Sequence, residues 1–231
     1  MYTIYWIIFG FFMILSLIVS QTLQSRFKKY SKEPLRNGMT GKDIAEKMLH
    51  DNGIYDVKVI SVRGQLTDHY NPTNKTVNLS ENVYGVCSVA AAAVAAHECG
   101  HVLQHATAYR WLKMRSNMVP VVQFGSKWSQ WLLLGGMVLL GLSTKLGMWL
   151  ILVGIVLFAI STIFSFITLP VEYNASSRAL AWLEASNITS TQQHEQAQDA
   201  LKWAARTYLV AALSSLATLL YYILLFFGRR D

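Results

Sequence analysis

Three uncharged, strongly apolar blocks divide the chain: Tyr2–Ser20, Leu146–Leu169 and Tyr208–Phe227. A helix of about 20 apolar residues crosses a bilayer, so each block predicts a membrane span. Trp128–Leu142 is a fourth, shorter block that reaches spanning length if its approach from Met118 past Lys127 is included. Ser143-Thr144-Lys145 leaves little room between the second and third spans, which predicts a hairpin over 128–169. The first block is read as a span and not as a cleaved leader. No Lys or Arg precedes it, and no small-x-small pattern follows.

The segments between the blocks follow other rhythms. Gln21–Gly38 reads as a charged linker broken by Pro34 and Gly38. Thr40–Asp43 resembles a capping box, and Ile44, Ala45, Met48 and Leu49 form a helical stripe ending at Asn52-Gly53. Ile54–Ser61 alternates as a strand does, with Val57 and Val59 on one face. "DHYNPTN" (Asp68–Asn74) predicts a turn-rich loop, and Thr76–Leu79 a short strand that could lie at a sheet edge and hold extended substrate by backbone pairing. Ser88–His105 reads as a helix, and Asn117–Lys127 as an irregular approach to the membrane. Pro170 is expected to introduce a short helix through about Ala185. Ser190–Gln193 again resembles a capping box, followed by the stripe Ala197, Ala200, Leu201, Ala204 and Tyr208. The expected class is α+β: a small unit split between 21–127 and 170–207, carried by spans at 2–20, 128–169 and 208–227.

Composition agrees with the pattern, since 53% of the 231 residues are hydrophobic and only 14% charged. The net charge of +7 needs no nucleic-acid partner, because Arg26, Lys28, Lys29, Lys32 and Arg36 follow the first span and suit anionic lipid. The positive-inside rule then puts 21–127 and 170–207 in the cytoplasm, with Arg178, Lys202 and Arg206 on the same side. Arg229 and Arg230 do not follow that rule. Trp128, Trp131 and Trp149 sit near span starts, as interfacial aromatics do. No charge lies inside any block, and Ser161, Thr162, Ser165 and Thr168 suit helix packing, which argues against ion transport. If one helix held both Cys87 and Cys99, they would lie roughly 18 Å apart, beyond disulfide reach, so reduced thiols are expected.

The chemistry is concentrated in "VAAHECGHVLQH", Val94–His105. Residues four apart share a helix face, so His97 and His101 can offer two imidazoles to one zinc ion. Glu98 then sits where a carboxylate can take the proton of a zinc-activated water as it attacks a carbonyl. His105 lies about 12 Å along the axis from His97, too far for both to ligate one ion. Glu172 is a candidate third ligand: two spans separate it from the histidines, and Ala175, Ser176 and Ala179 give its face a close-packing surface. A Glu that only favours its helix N-terminus remains the other reading. Tyr173, Arg178, Tyr109 and His69 are of the right type to stabilise an oxyanion. Cys99 points to the far side of the helix, and His50 and His194 read as solvated.

"DHYNPTNKTVNLS", "AAVAAHECGHVLQHATAYRWLKMRS" and "TLPVEYNASSRAL" together resemble the YugP-like neutral zinc metallopeptidases of bacterial membranes. The resemblance extends from about Pro34 to Tyr222. More distantly the pattern is similar to HtpX-type membrane proteases. It implies a gluzincin-like peptidase domain with one zinc ion held by His97, His101 and Glu172, and with Glu98 as general base. HtpX-type proteins place an Asp that supports a zinc-bound His where this chain has Ser176, and many YugP-like sequences have Asp where this chain has Asn174. Support of the histidines is therefore expected from Ser176, Asn174 or Asp68, with His105 as a further candidate. The implied activity is a membrane-anchored zinc endopeptidase at the cell membrane, acting on peptide or membrane-protein substrates, and the positive-inside rule puts its site on the cytoplasmic side. The alternatives are a zinc-stabilised scaffold or quality-control adaptor with a membrane-protein or oligomer partner, and an intramembrane-cleaving metalloprotease.

Overall fold

The computed structural model describes residues 2–140 and 144–228. Helices dominate: α1 (Tyr2–Tyr30), α2 (Gly41–Asp51), α3 (Glu81–Tyr84), α4 (Val89–Ala106), α5 (Arg110–Leu139), α6 (Thr144–Ala185) and α7 (Thr191–Phe227). Three short strands, β1 (Lys58–Val62), β2 (His69–Asn71) and β3 (Thr76–Ser80), form one sheet. Among the described residues, three helices are long and apolar enough to cross a membrane, within Thr3–Tyr30, Lys145–Ala185 and Thr191–Phe227. The shorter block from Trp128 falls in α5, which is not one of them, and the Ser143 turn and Arg229-Arg230 lie outside the described residues.

The chain divides into two compact units. The first comprises 1–18, 113–169 and 207–231. Its small buried cluster gathers Leu133, Ile151, Ile155, Tyr221, Tyr222 and Leu225, while Trp6, Trp131, Val138, Trp149 and Leu224 are exposed. The second comprises 19–112 and 170–206 and holds the main core. Ile44, Met48 and Leu49 of α2 are fully buried there, each stabilising the fold by roughly 1.5–3 kcal/mol. They pack with the alanine-rich start of α4, whose small side chains permit a close approach. The Thr40–Asp43 box is formed in both directions, and Ser190 and Gln193 likewise exchange hydrogen bonds.

Four expectations are corrected. Gln21–Tyr30 is not a linker but a continuation of α1. No Gly or Pro interrupts it, and buried Tyr30 donates from its hydroxyl to Asp199 Oδ2 at 2.7 Å, beside Arg26 at 3.5 Å from the same oxygen. Asn117–Lys127 is helical within α5, which runs through Pro120. Pro170 does not begin a helix; α6 runs through it. Proline costs one intrahelical bond there, a loss that long apolar helices tolerate. Thr76–Leu79 is the central strand, not an edge: β3 pairs parallel with β1 and antiparallel with β2. The added strand arises because Asn71 Oδ1 accepts from the amides of Thr73 and Asn74, at 3.0 and 3.3 Å. That side-chain turn reverses the chain and sets His69 opposite Asn78.

Candidate metal centre

Three side chains from two distant parts of the sequence converge inside the second unit. His97 and His101, one turn apart on α4, present edge-to-face rings 4.8 Å between centroids. Glu172 arrives from α6 with its side chain 4% exposed. Its Oε2 stands 3.4 Å from His97 Nε2 and 3.7 Å from His101 Nε2. Two ligands about 2 Å from one ion at a tetrahedral angle stand about 3.3 Å apart, so these separations suit ligands of a shared zinc. Among the described residues this is the single group of three or more His, Cys, Asp or Glu able to hold a metal.

Small residues make the convergence sterically feasible. A Cβ at Gly100 would stand 2.5 Å from the Ala175 carbonyl oxygen, so glycine is what lets the α6 backbone come this close to α4. Ala175 and Ala179 are fully buried along the same face. The expected small face of Glu172's helix is therefore present, one turn below the carboxylate.

Hydrogen bonding on the outer nitrogens orients both rings. His97 Nδ1 lies 3.1 Å from Ser176 Oγ, and His101 Nδ1 lies 3.0 Å from Gln104 Oε1. Gln104 Oε1 can only accept, so His101 Nδ1 carries a proton and donates it, leaving Nε2 to face Glu172. Electron pairs from two imidazoles and a carboxylate then point at one small volume, an arrangement that repels itself unless a proton or a metal cation lies between them. Burial pulls the His101 imidazole down, but the hydrogen bond to Glu172 and the charges of Glu98 and Glu172 outweigh it. The Gln104 bond adds to the rise, and the ring sits above its ordinary value of 6.5. The donor set therefore fits a divalent cation: two imidazoles held at their outer nitrogens, and a carboxylate with little access to water.

Glu98 is buried and its Oε2 accepts from the Tyr70 backbone amide of β2 at 3.1 Å. The strand overlooked in the "DHYNPTN" loop is thus the one that holds this carboxylate. His105 is exposed and packs edge-to-face against the Tyr70 ring at 5.9 Å, outside the triad.

Gln104 was the polar residue not picked out from sequence, although its place three residues past His101 puts it on the same face. It is fully buried. Its Nε2 donates to Val171 O at 2.7 Å and to Asn174 Oδ1 at 3.0 Å. Asn174 Oδ1 also accepts from Arg178 Nε at 2.9 Å, and the Arg178 guanidinium lies 6.0 Å from the Tyr109 ring centroid. Tyr109 donates to Pro170 O at 3.4 Å. Ser176 and Asn174 thus both stand behind the histidines. Asp68 does not: its carboxylate caps Ser80 through the backbone amide at 2.7 Å and the hydroxyl at 3.2 Å. His69 is exposed and engages Thr67 O at 2.8 Å, and Tyr173 is 47% exposed. Cys99 is fully buried against Ala45 O, and burial pushes its thiol up, which leaves it inert.

A largely helical chain with apolar helices of membrane-spanning length and a buried His-His-Glu cluster on a His-Glu-x-x-His helix is the class defined by these features. The chain belongs to the family described as "Putative neutral zinc metallopeptidase", whose model matches residues 5–227. It is similar to the "Putative membrane protease YugP" of Bacillus subtilis (strain 168), with 43% identity over 209 residues and 90% of each chain covered. No solved structure matches it.

Proposed function

We propose that the protein is a membrane-anchored zinc endopeptidase in which His97, His101 and Glu172 hold one zinc ion and Glu98 is the general base. The observation that carries this reading is the meeting of the two Nε2 atoms with Glu172 Oε2. A zinc ion in that position supplies Lewis acidity, polarising a scissile carbonyl and making an attacking water more acidic. The remaining work falls to the chain itself. Tyr70 N–H anchors one Glu98 oxygen, and the carboxylate takes the proton of the attacking water and passes it to the departing amine. Gln104 and Ser176 hold the imidazoles in register.

The same reading assigns 21–127 and 170–207 to a gluzincin-like peptidase domain on the cytoplasmic side of the cell membrane. It counts the block from Trp128 as a fourth span, and it places peptide or membrane-protein substrates at the bilayer surface. Cleavage within the bilayer is not favoured, because α4 is not among the helices long and apolar enough to span.

Purified full-length protein should carry about one zinc per chain and cleave unfolded polypeptide, and Glu98→Gln should keep the zinc and lose the cleavage. Equal cleavage by both proteins would remove Glu98 from the reaction. A metal-replete wild type inert toward every peptide offered, with Glu98→Gln still complementing in cells, would establish a scaffold instead.

A further inference from the structure

The side chains behind His101, buried Gln104 and half-buried Asn174 and Arg178, form a connected chain with a direction. Arg178 donates to Asn174, Gln104 donates to the same Asn174 oxygen, and Gln104's own oxygen receives the His101 Nδ1 proton. Each polarity is forced. A guanidinium only donates, an amide NH2 only donates, and the Gln104 NH2 has both its hydrogens directed at oxygens, Val171 O and Asn174 Oδ1. The Gln104 amide therefore cannot flip without setting oxygen against oxygen on two sides. With the amide locked, the neutral His101 ring carries its proton on Nδ1 and turns bare Nε2 toward Glu172.

We propose that Gln104 is the positioning residue for His101, and that Asn174, polarised by Arg178, locks it. The inference rests on the reading of the triad as a zinc site and deepens it. Both positions between His101 and Arg178 are uncharged, so two amides link the guanidinium to the imidazole. Asn174 serves here because a carbonyl oxygen has two lone pairs, and both are used. Gln104 also ties α4 to the Val171 carbonyl, one residue before Glu172, so one side chain sets the ring of one ligand and the backbone beside another. A buried amide with three such partners does more than fill space, since each bond left unmade at 0% exposure is costly.

The test uses full-length protein in detergent. Gln104→Met keeps the length and removes all three bonds, and it should weaken zinc affinity about 10- to 100-fold while circular dichroism shows the helices intact. Asn174→Leu should weaken zinc in the same range, and Asn174→Asp, which keeps both acceptor positions, should bind at least as tightly as wild type. If the residues act in series, the double variant Gln104→Met/Asn174→Leu should lose no more than Gln104→Met alone. Wild-type zinc affinity in Gln104→Met, or full additivity in the double variant, would overturn the proposal. Nitrogen-15 spectra of histidine-labelled, metal-free protein under alkaline conditions give a second readout. His101 should be the Nδ1–H form in wild type and shift to the Nε2–H form in Gln104→Met; an unchanged tautomer would overturn the proposal. If wild-type protein takes up no zinc, the metal reading fails by itself, and the tautomer still decides the role of Gln104.

Discussion

The two units solve opposite solvation problems with the same helical geometry. In the unit that holds the candidate centre, large aliphatic side chains such as Ile44, Met48, Leu49 and Leu79 are inside, and charges are outside or paired. In the unit built from the apolar blocks, the large side chains Trp6, Phe11, Trp149 and Leu224 are exposed, while its small buried cluster includes Tyr221 and Tyr222. Side chains in lipid gain little by leaving it, so packing there depends on fit and not on apolarity. In the unit with the main core burial itself drives folding. Glu98 and Glu172 are the buried carboxylates among the described residues, and Gln104 is fully buried beside them, which is why the three stand out.

Substitutions can test how far this contrast extends. The largest effect is expected for Glu98→Gln, which should reduce peptide turnover by about 10²- to 10⁴-fold at constant zinc content, measured as cleavage rate against metal analysis. Glu172→Ala should abolish stoichiometric zinc, and normal zinc in that variant would dismiss the third ligand. Gly100→Val places branched carbon against the Ala175 carbonyl, so a loss of about 1–3 kcal/mol together with weakened zinc binding is expected from denaturation and metal titration. In the apolar unit, Gly10→Val should leave thermal stability in detergent nearly unchanged, because nothing lies within 4 Å of the added carbon. A comparable loss at both glycines would erase the distinction between the units.

The next effect concerns protons. His101 in the metal-free protein is held above 6.5, and only its neutral form can ligate. Zinc affinity should therefore begin to fall as pH drops through a value above 6.5, and then decline by about tenfold per pH unit. Affinity independent of pH down to the ordinary histidine range would contradict the close pairing with Glu172. The smallest effect is expected at Thr40→Ala, which removes the capping box of α2 and should cost about 1 kcal/mol in chemical denaturation, with zinc content unchanged.

Much of this was legible along the chain. The α2 stripe, both capping boxes, the α4 limits and the imidazole pair all follow from relations between residues three or four apart, where helical geometry makes sequence spacing a distance. The apolar blocks of α1, α6 and α7 were readable for a similar reason, since length and absence of charge are local properties. Errors came where a local signal was overridden. Pro170 reads as a helix start, yet the helix continues through it. Gln21–Tyr30 reads as a linker, yet a helix persists because Tyr30 and Arg26 reach Asp199, about 170 residues away. β2 was hidden because three residues show no alternation, and its existence depends on pairing with β3.

By itself the sequence determined which residues could ligate a metal, that two of them share a helix face, and where apolar helices lie. Tertiary structure alone brought Glu172 against the imidazoles across 71 residues, put β3 between its neighbours, and gave Gln104 its partners. The physical reason is one of range. Backbone geometry converts spacing into distance over about one helical turn, whereas contacts between distant segments depend on whether two surfaces fit, as Gly100 and Ala175 do.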